Sequence, residues 1–284
     1  MAVEGTAAYS QSSGTASKSS ETVTASNSGE SAVKVTGGTI TVTGGVVNTS
    51  GTKSPEIYST GKITATGTSI TAAASEAVTI EGKNSVTVNN CTFKTSKTCG
   101  VFIYQSTSGD AAVGSGIFTM TGGALTAEDG PLFYSTNTDA LINLKGAALN
   151  ASSGILLKAC ADQWGTTGSN GSNVTLAADS QSLSGNVFLD KISTATLTLK
   201  NSSSLSGAIN SDKTAKSATL SLDKTRKWTV TGTSYLTSLT DADTALSNIN
   251  ENGNNIYYDS SSSANSWLNG KTATLKDGGK LIPY

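Results

Sequence analysis

Short apolar runs, each two to five residues long and alternating with polar positions, recur along this chain at a near-constant interval. The clearest unit is Ala195-Thr-Leu-Thr-Leu199 followed by Lys200-Asn-Ser-Ser-Ser-Leu-Ser-Gly207, and Val33-Lys-Val35, Gly38-Thr-Ile-Thr-Val-Thr43 and Gly45-Val-Val47 repeat its pattern. Aligning the middle run of each unit gives Ile40, Ile63, Val86, Phe118, Ile142, Val174, Leu197 and Leu220, at intervals of 23, 23, 32, 24, 32, 23 and 23 residues. A first run precedes it (Val33, Ile57, Val78, Val101, Leu132, Leu156, Val187, Ile209). A third follows (Val47, Ile70, Phe93, Leu125, Leu149, Leu183, Leu205, Trp228). Period-2 alternation with β-branched content, punctuated by Gly, Ser and Asn as in Gly44-Gly45 and Gly122-Gly123, predicts three strands and three turns per unit.

Self-similarity at this period is the mark of a solenoid. A unit of 23 residues is too short for a helix plus strands with their loops, and long 3.6-residue patterns are nearly absent. The expected fold is all-β: inward residues of successive coils stack into one apolar column while each strand pairs with the coils above and below. At about 4.8 Å per coil, some nine coils make a rod roughly 40 to 45 Å long. On coil length and strand pattern, residues 10–235 resemble the single-stranded, right-handed parallel β-helix of the pectin-lyase-like superfamily and of many bacterial surface proteins. That resemblance implies fold and says little about activity.

Three regions follow. Residues 1–30 read as a ragged first coil, with Tyr9 and Val23 as candidate inward residues. Nothing amphipathic covers its open edge, so an upstream domain or end-to-end self-association is expected there. Residues 31–235 form the β-helix proper. Residues 236–284 read as a C-terminal cap with a short helix over 241–249, started by Asp241 and Asp243, and strands rich in aromatic residues.

Composition narrows the chemistry. Charged residues are 14% of the 284 and the formal net charge is −1, which argues against nucleic acid as a partner. The chain has no histidine and a single arginine, Arg226, removing the commonest general base, metal ligand and phosphate fork together. No cofactor or metal site is expected. Cys91, Cys99 and Cys160 lack metal-ligand spacing; Cys91 and Cys99 either pair in an oxidising compartment or are small buried thiols. No run approaches the roughly 20 apolar residues that span a bilayer. The Ser/Thr-rich, weakly charged composition points outside the cell, to a secreted or surface-displayed protein, and the resemblance to a bacterial one.

Two coils carry about nine extra residues each, both between the first and second strands, at 105–116 and 159–173. Occupying the same turn two coils apart, they should rise side by side with residues 135–139 between them, and repeat proteins place binding surfaces where insertions cluster. Trp164 offers a flat apolar face for a sugar ring, and Asp110, Asn137, Asp139, Asp162 and Gln163 could bond its hydroxyls. The alternative is that Trp164 folds back to anchor its own loop. A second feature is an outward column, Thr41, Thr64, Thr87, Thr119, Asn143, Thr175, Thr198 and Ser221, similar to the threonine faces of ice-binding β-solenoids, although threonine also simply favours half-exposed strands. Polysaccharide cleavage needs two spaced carboxylates, or a calcium cluster with a basic residue. Glu128-Asp129 is the only adjacent acidic pair, and it lies far from Arg226 in any straight stack. The expectation is therefore a non-enzymatic structural or adhesive module, with a glycan or host surface as partner; a polysaccharide-degrading enzyme and an ice-binding protein are the alternatives.

Overall fold

The computed structural model describes residues 7–225 and 227–284, so Arg226 and residues 1–6 of the first coil lie outside the described residues. The chain is an all-β parallel β-solenoid of about twelve windings with almost no helix. The longest wall is a ten-stranded parallel sheet running from Thr15–Ser19 to Ser238–Asp241. In register along it stand Ile40, Ile63, Val86, Phe118, Ile142, Leu176, Leu197, Leu220 and Leu239. All nine are 0% exposed, forming the apolar column that the periodicity demands. Two further walls complete each winding, an eight-stranded sheet ending at Asn186–Leu189 and a six-stranded sheet from Val23 to Leu149 that a four-stranded one continues.

Four details differ from the sequence reading. The winding count exceeds nine because the coils continue beyond residue 235, where Ser238–Asp241, Ile249–Asn250 and Ile256–Tyr258 each pair with the winding before. Residues 241–249, expected to be helical, are therefore strand, turn and strand, because unpaired sheet edges outbid a weak local helix signal. The described part of the first coil forms a regular winding, Ala7–Gln11, Thr15–Ser19 and Thr22–Ala25. Finally, Leu176 rather than Val174 joins the central column, since the second insertion is two residues longer than equal spacing implies. Thr175 consequently pairs with Leu141 and Thr196 and stands outside the threonine column, whose member in that winding is Ala177.

Eight successive windings turn their second corner on one residue in the left-handed region: Ser20, Gly44, Gly67, Asn90, Gly122, Gly146, Ser180 and Asn201, with φ between 50° and 62°. Gly, Asn and Ser occupy this corner because a Cβ crowds the following carbonyl there, and glycine escapes that crowding altogether. Where Gly123 follows, a Cβ would fall 2.0 Å from the Cys91 carbonyl oxygen of the winding below, so only glycine fits.

Polar side chains repair the places where backbone pairing fails. Between Ala148–Ala151 and Ser182–Ser184 the third wall breaks. There the buried Gln181 amide accepts from the Ala147 N–H at 2.8 Å and donates to the Ala147 carbonyl at 2.8 Å, standing in for a strand. At the far end a short 3-10 helix, Ser263–Leu268, caps the longest sheet. Asn265 accepts from Leu239 N–H at 2.8 Å and donates to Thr237 C=O at 2.9 Å, while the Trp267 indole donates to Leu239 C=O at 2.9 Å. The last strand thus meets side chains that blunt its edge.

Candidate functional site

The two insertions do emerge side by side. The loop at 105–116 follows Val101–Tyr104, the loop at 159–173 follows the strand Ile155–Ala159, and the winding between them turns at Asn137, which has φ 53°. Asn137 fastens both loops: its side chain donates to the Gln105 carbonyl at 2.7 Å, and its backbone N–H to the Asn170 carbonyl at 3.1 Å. Gly165 passes so close to the Asn137 amide that a Cβ there would lie 2.2 Å from Oδ1. Asn170, 3% exposed, braces its own loop by donating to the carbonyls of Asp162 at 2.6 Å and Trp164 at 2.8 Å.

Beneath the loops the outer face of the eight-stranded sheet is aromatic. Phe102 stacks on Tyr104 at 4.6 Å between centroids and on Tyr134 at 5.2 Å, and the Trp164 indole tilts onto Tyr104 at 5.0 Å. Tyr58 and Cys99 complete this cluster, which is separate from the solenoid core. Enclosed within it is Glu81, 1% exposed, whose carboxyl accepts hydrogen bonds from Tyr58, Tyr104 at 2.8 Å and Ser106. Burial, with Glu81 alongside, pushes both phenols well above the ordinary tyrosine range, so they remain protonated donors. Burial and the hydrogen bond to Asp162, 2.7 Å long, raise Tyr134 in the same way.

Of the six residues proposed from sequence, Asp162, Gln163 and Trp164 share the second loop, and Asn137 and Asp139 lie at its foot. Asp110 belongs to the other loop and stands near Tyr58, where its charge helps to raise the phenol. A polar cleft of about 230 Å³ opens between the loops, lined by Gln105, Asn137, Thr138, Asp139, Ser169 and Asn173 among others. Its carboxylate is partly committed, Asp139 accepting from Asn173 at 2.8 Å. Trp164, on the second loop, does not line this cleft, and is half-buried with part of its face spent on Tyr104.

Sequence reasoning missed Glu81, Tyr58, Tyr104 and Ser106. A signal was present: Val101-Phe-Ile-Tyr104 is apolar without alternation, as a strand covered on both faces must be, and all four residues are buried. The threonine column is in register through Thr41, Thr64, Thr87 and Thr119, then meets Asn143 and Ala177 before Thr198. Cys91 and Cys99 do not pair; all three cysteines are free. Cys91 faces the solenoid core and Cys99 the outer aromatic cluster, so the wall separates them.

Among the described residues no group of three or more Cys, Asp or Glu gathers where a metal ion could be held, and no helix is long and apolar enough to cross a membrane. Fold and site together define a parallel β-solenoid that carries one loop-bearing edge. No family model, curated protein or solved structure matches the chain.

Proposed function

We propose that this chain is a non-catalytic, extracellular structural or adhesive module whose loop-bearing edge binds glycan. The observation that carries the reading is the polar cleft between two loops locked together by Asn137, with the half-exposed indole of Trp164 outside the cleft on the second of those loops. Amide and carboxylate groups next to an aromatic face are the chemistry that sugar hydroxyls and ring C–H faces require. Support for a non-catalytic role comes from how the carboxylates are used. Glu81 is enclosed by three hydroxyl donors, Asp162 holds Tyr134 and its own loop, and Asp139 binds Asn173. Each is engaged in holding structure, and none stands free near a basic partner.

A glycan array with the wild-type protein tests the reading, followed by affinity measurements on Trp164→Ala and on Gln163→Ala, whose exposed side chain leaves the Tyr104 contact intact. Binding that both variants weaken supports it. No retained glycan at all, or affinity unchanged in both, removes it and leaves a spacer. Release of unsaturated uronides or reducing ends from polysaccharide would instead establish an enzyme. The four in-register threonines favour a lesser reading, a water-ordering face, and absence of ice-recrystallisation inhibition eliminates that one.

A further inference from the structure

On the same outer wall, apart from the loop cleft, a second hollow of about 420 Å³ is lined by Lys158, Cys160, Phe188, Leu189, Asp190, Lys191 and Thr214. We propose that this hollow binds one hydrophobic carboxylate, an aryl or alicyclic acid. The floor is apolar: Phe188 stands half-buried in the outward column next to Lys158, and Leu189 is buried beside it. A flat hydrocarbon body displaces water from that floor.

Charge selects an acid. Lys158 and Lys191 form none of the ion pairs found among the described residues. Lys158 is held at the hollow's edge by its ammonium, 5.4 Å from the Tyr134 ring centre. Asp190 offsets only one of the two positive charges, and its carboxylate is turned to the backbone, accepting from Ala161 N–H at 2.7 Å and Ile192 N–H at 3.2 Å. Burial alone would raise Asp190, yet the Ser193 hydroxyl and those backbone donors hold it below its usual value. The Thr214 hydroxyl is likewise spent, donating to the Leu189 carbonyl at 2.6 Å. Two ammonium groups over an apolar floor, with the neighbouring oxygens already bonded, suit a carboxylate on a hydrocarbon ring. They suit neither a cation, which two ammonium groups repel, nor a neutral sugar, which gains nothing from their charge and would set hydroxyls against the apolar floor. The proposal is independent of the glycan reading.

Cys160 lines the hollow and supplies the reporter, while Cys91 and Cys99 are buried elsewhere. The test is the rate of Cys160 alkylation, followed by peptide mass spectrometry, in the presence of naphthoate or of its neutral analogue naphthalenemethanol. Naphthoate is expected to slow labelling saturably, and the alcohol to need about tenfold higher concentration, the difference one charge-assisted contact makes. Lys158→Gln combined with Lys191→Gln should erase the preference for the acid, and Phe188→Ala should weaken both compounds. Should Phe188→Ala fail to fold, the exposed lysine pair still decides the matter. Equal protection by acid and alcohol, no protection by either, or a preference unchanged in the lysine variant overturns the proposal. So does glucuronate protecting as well as naphthoate, which would return the hollow to sugar binding.

Discussion

Glu56, just before the strand Ile57–Ser59, is a buried acid, 0% exposed, with no hydrogen-bond partner on either carboxyl oxygen. Burial dominates its titration and pushes it up to about 10, against a smaller opposing pull from the Thr49 and Thr71 backbone. The unfolded chain therefore loses this proton near the ordinary value of 4.5, long before the folded one does. Stability should fall as pH rises from about 4.5 towards 10, by about 3 kcal/mol at pH 7 if no other group compensates. Glu56→Gln should remove that slope, so urea midpoints of the two proteins should diverge at pH 8.5 and converge at pH 5. A midpoint gap independent of pH would show that the carboxyl is not neutral in the fold. Corner glycines offer a second contrast. At Gly67 a Cβ meets nothing within 4 Å, so Gly67→Ala should cost only the left-handed backbone penalty, about 1 kcal/mol. Gly123→Ala, which drives a Cβ against the Cys91 carbonyl, should cost well over about 2 kcal/mol or prevent folding, as thermal melts would show.

At the scale of elements, stability rests on side chains that replace missing backbone partners. Gln181 serves both the N–H and the C=O of Ala147 across the break in the third wall. Gln181→Leu leaves both groups buried and unbonded, and should lower stability by about 2 to 3 kcal/mol in chemical denaturation. A surface glutamine of no structural consequence would lose less than about 0.5 kcal/mol. The C-terminal cap works alike: Asn265 and Trp267 bond the edge of the last strand in the longest sheet, and Glu251, itself buried, accepts from the Gly279 N–H at 3.0 Å to hold the final loop. Glu251 and Gln181 could not be singled out from sequence, where each is one more polar residue in a Ser/Thr-rich stretch. Their importance comes from which backbone groups are left over once the windings stack.

For the whole molecule, nearest-neighbour stacking means that a complete winding is an interchangeable unit. Deleting residues 198–220, one 23-residue interval between Leu197 and the residue after Leu220, keeps both the alternation and the apolar column. That shortened protein should fold, with a circular dichroism spectrum of unchanged β character. Deleting one residue fewer, 198–219, reverses inside and outside in the strand that follows and should yield aggregate, because a one-residue slip turns every side chain to the opposite face. Equal solubility of the two deletions would contradict the stacking register. The outer surface is uneven on this scale. One wall carries the threonines in quiet succession, while another carries Tyr58, Phe102, Tyr134, Lys158 and Phe188, and both recessed sites lie beside this aromatic line.

The sequence by itself determined the solenoid, its three strands per winding, most of its central column and the edge from which the insertions rise. Those features follow from local periodicity, because each winding repeats the same burial problem. Only the tertiary structure decided the registers after unequal insertions, the fate of residues 241–249, and what lies beneath the loops. Leu176 rather than Val174 enters the core, and Tyr58, Glu81, Tyr104 and Trp164 converge from four different windings. Convergence of that kind depends on how far each loop folds back over the wall, and spacing along one chain carries no measure of that distance.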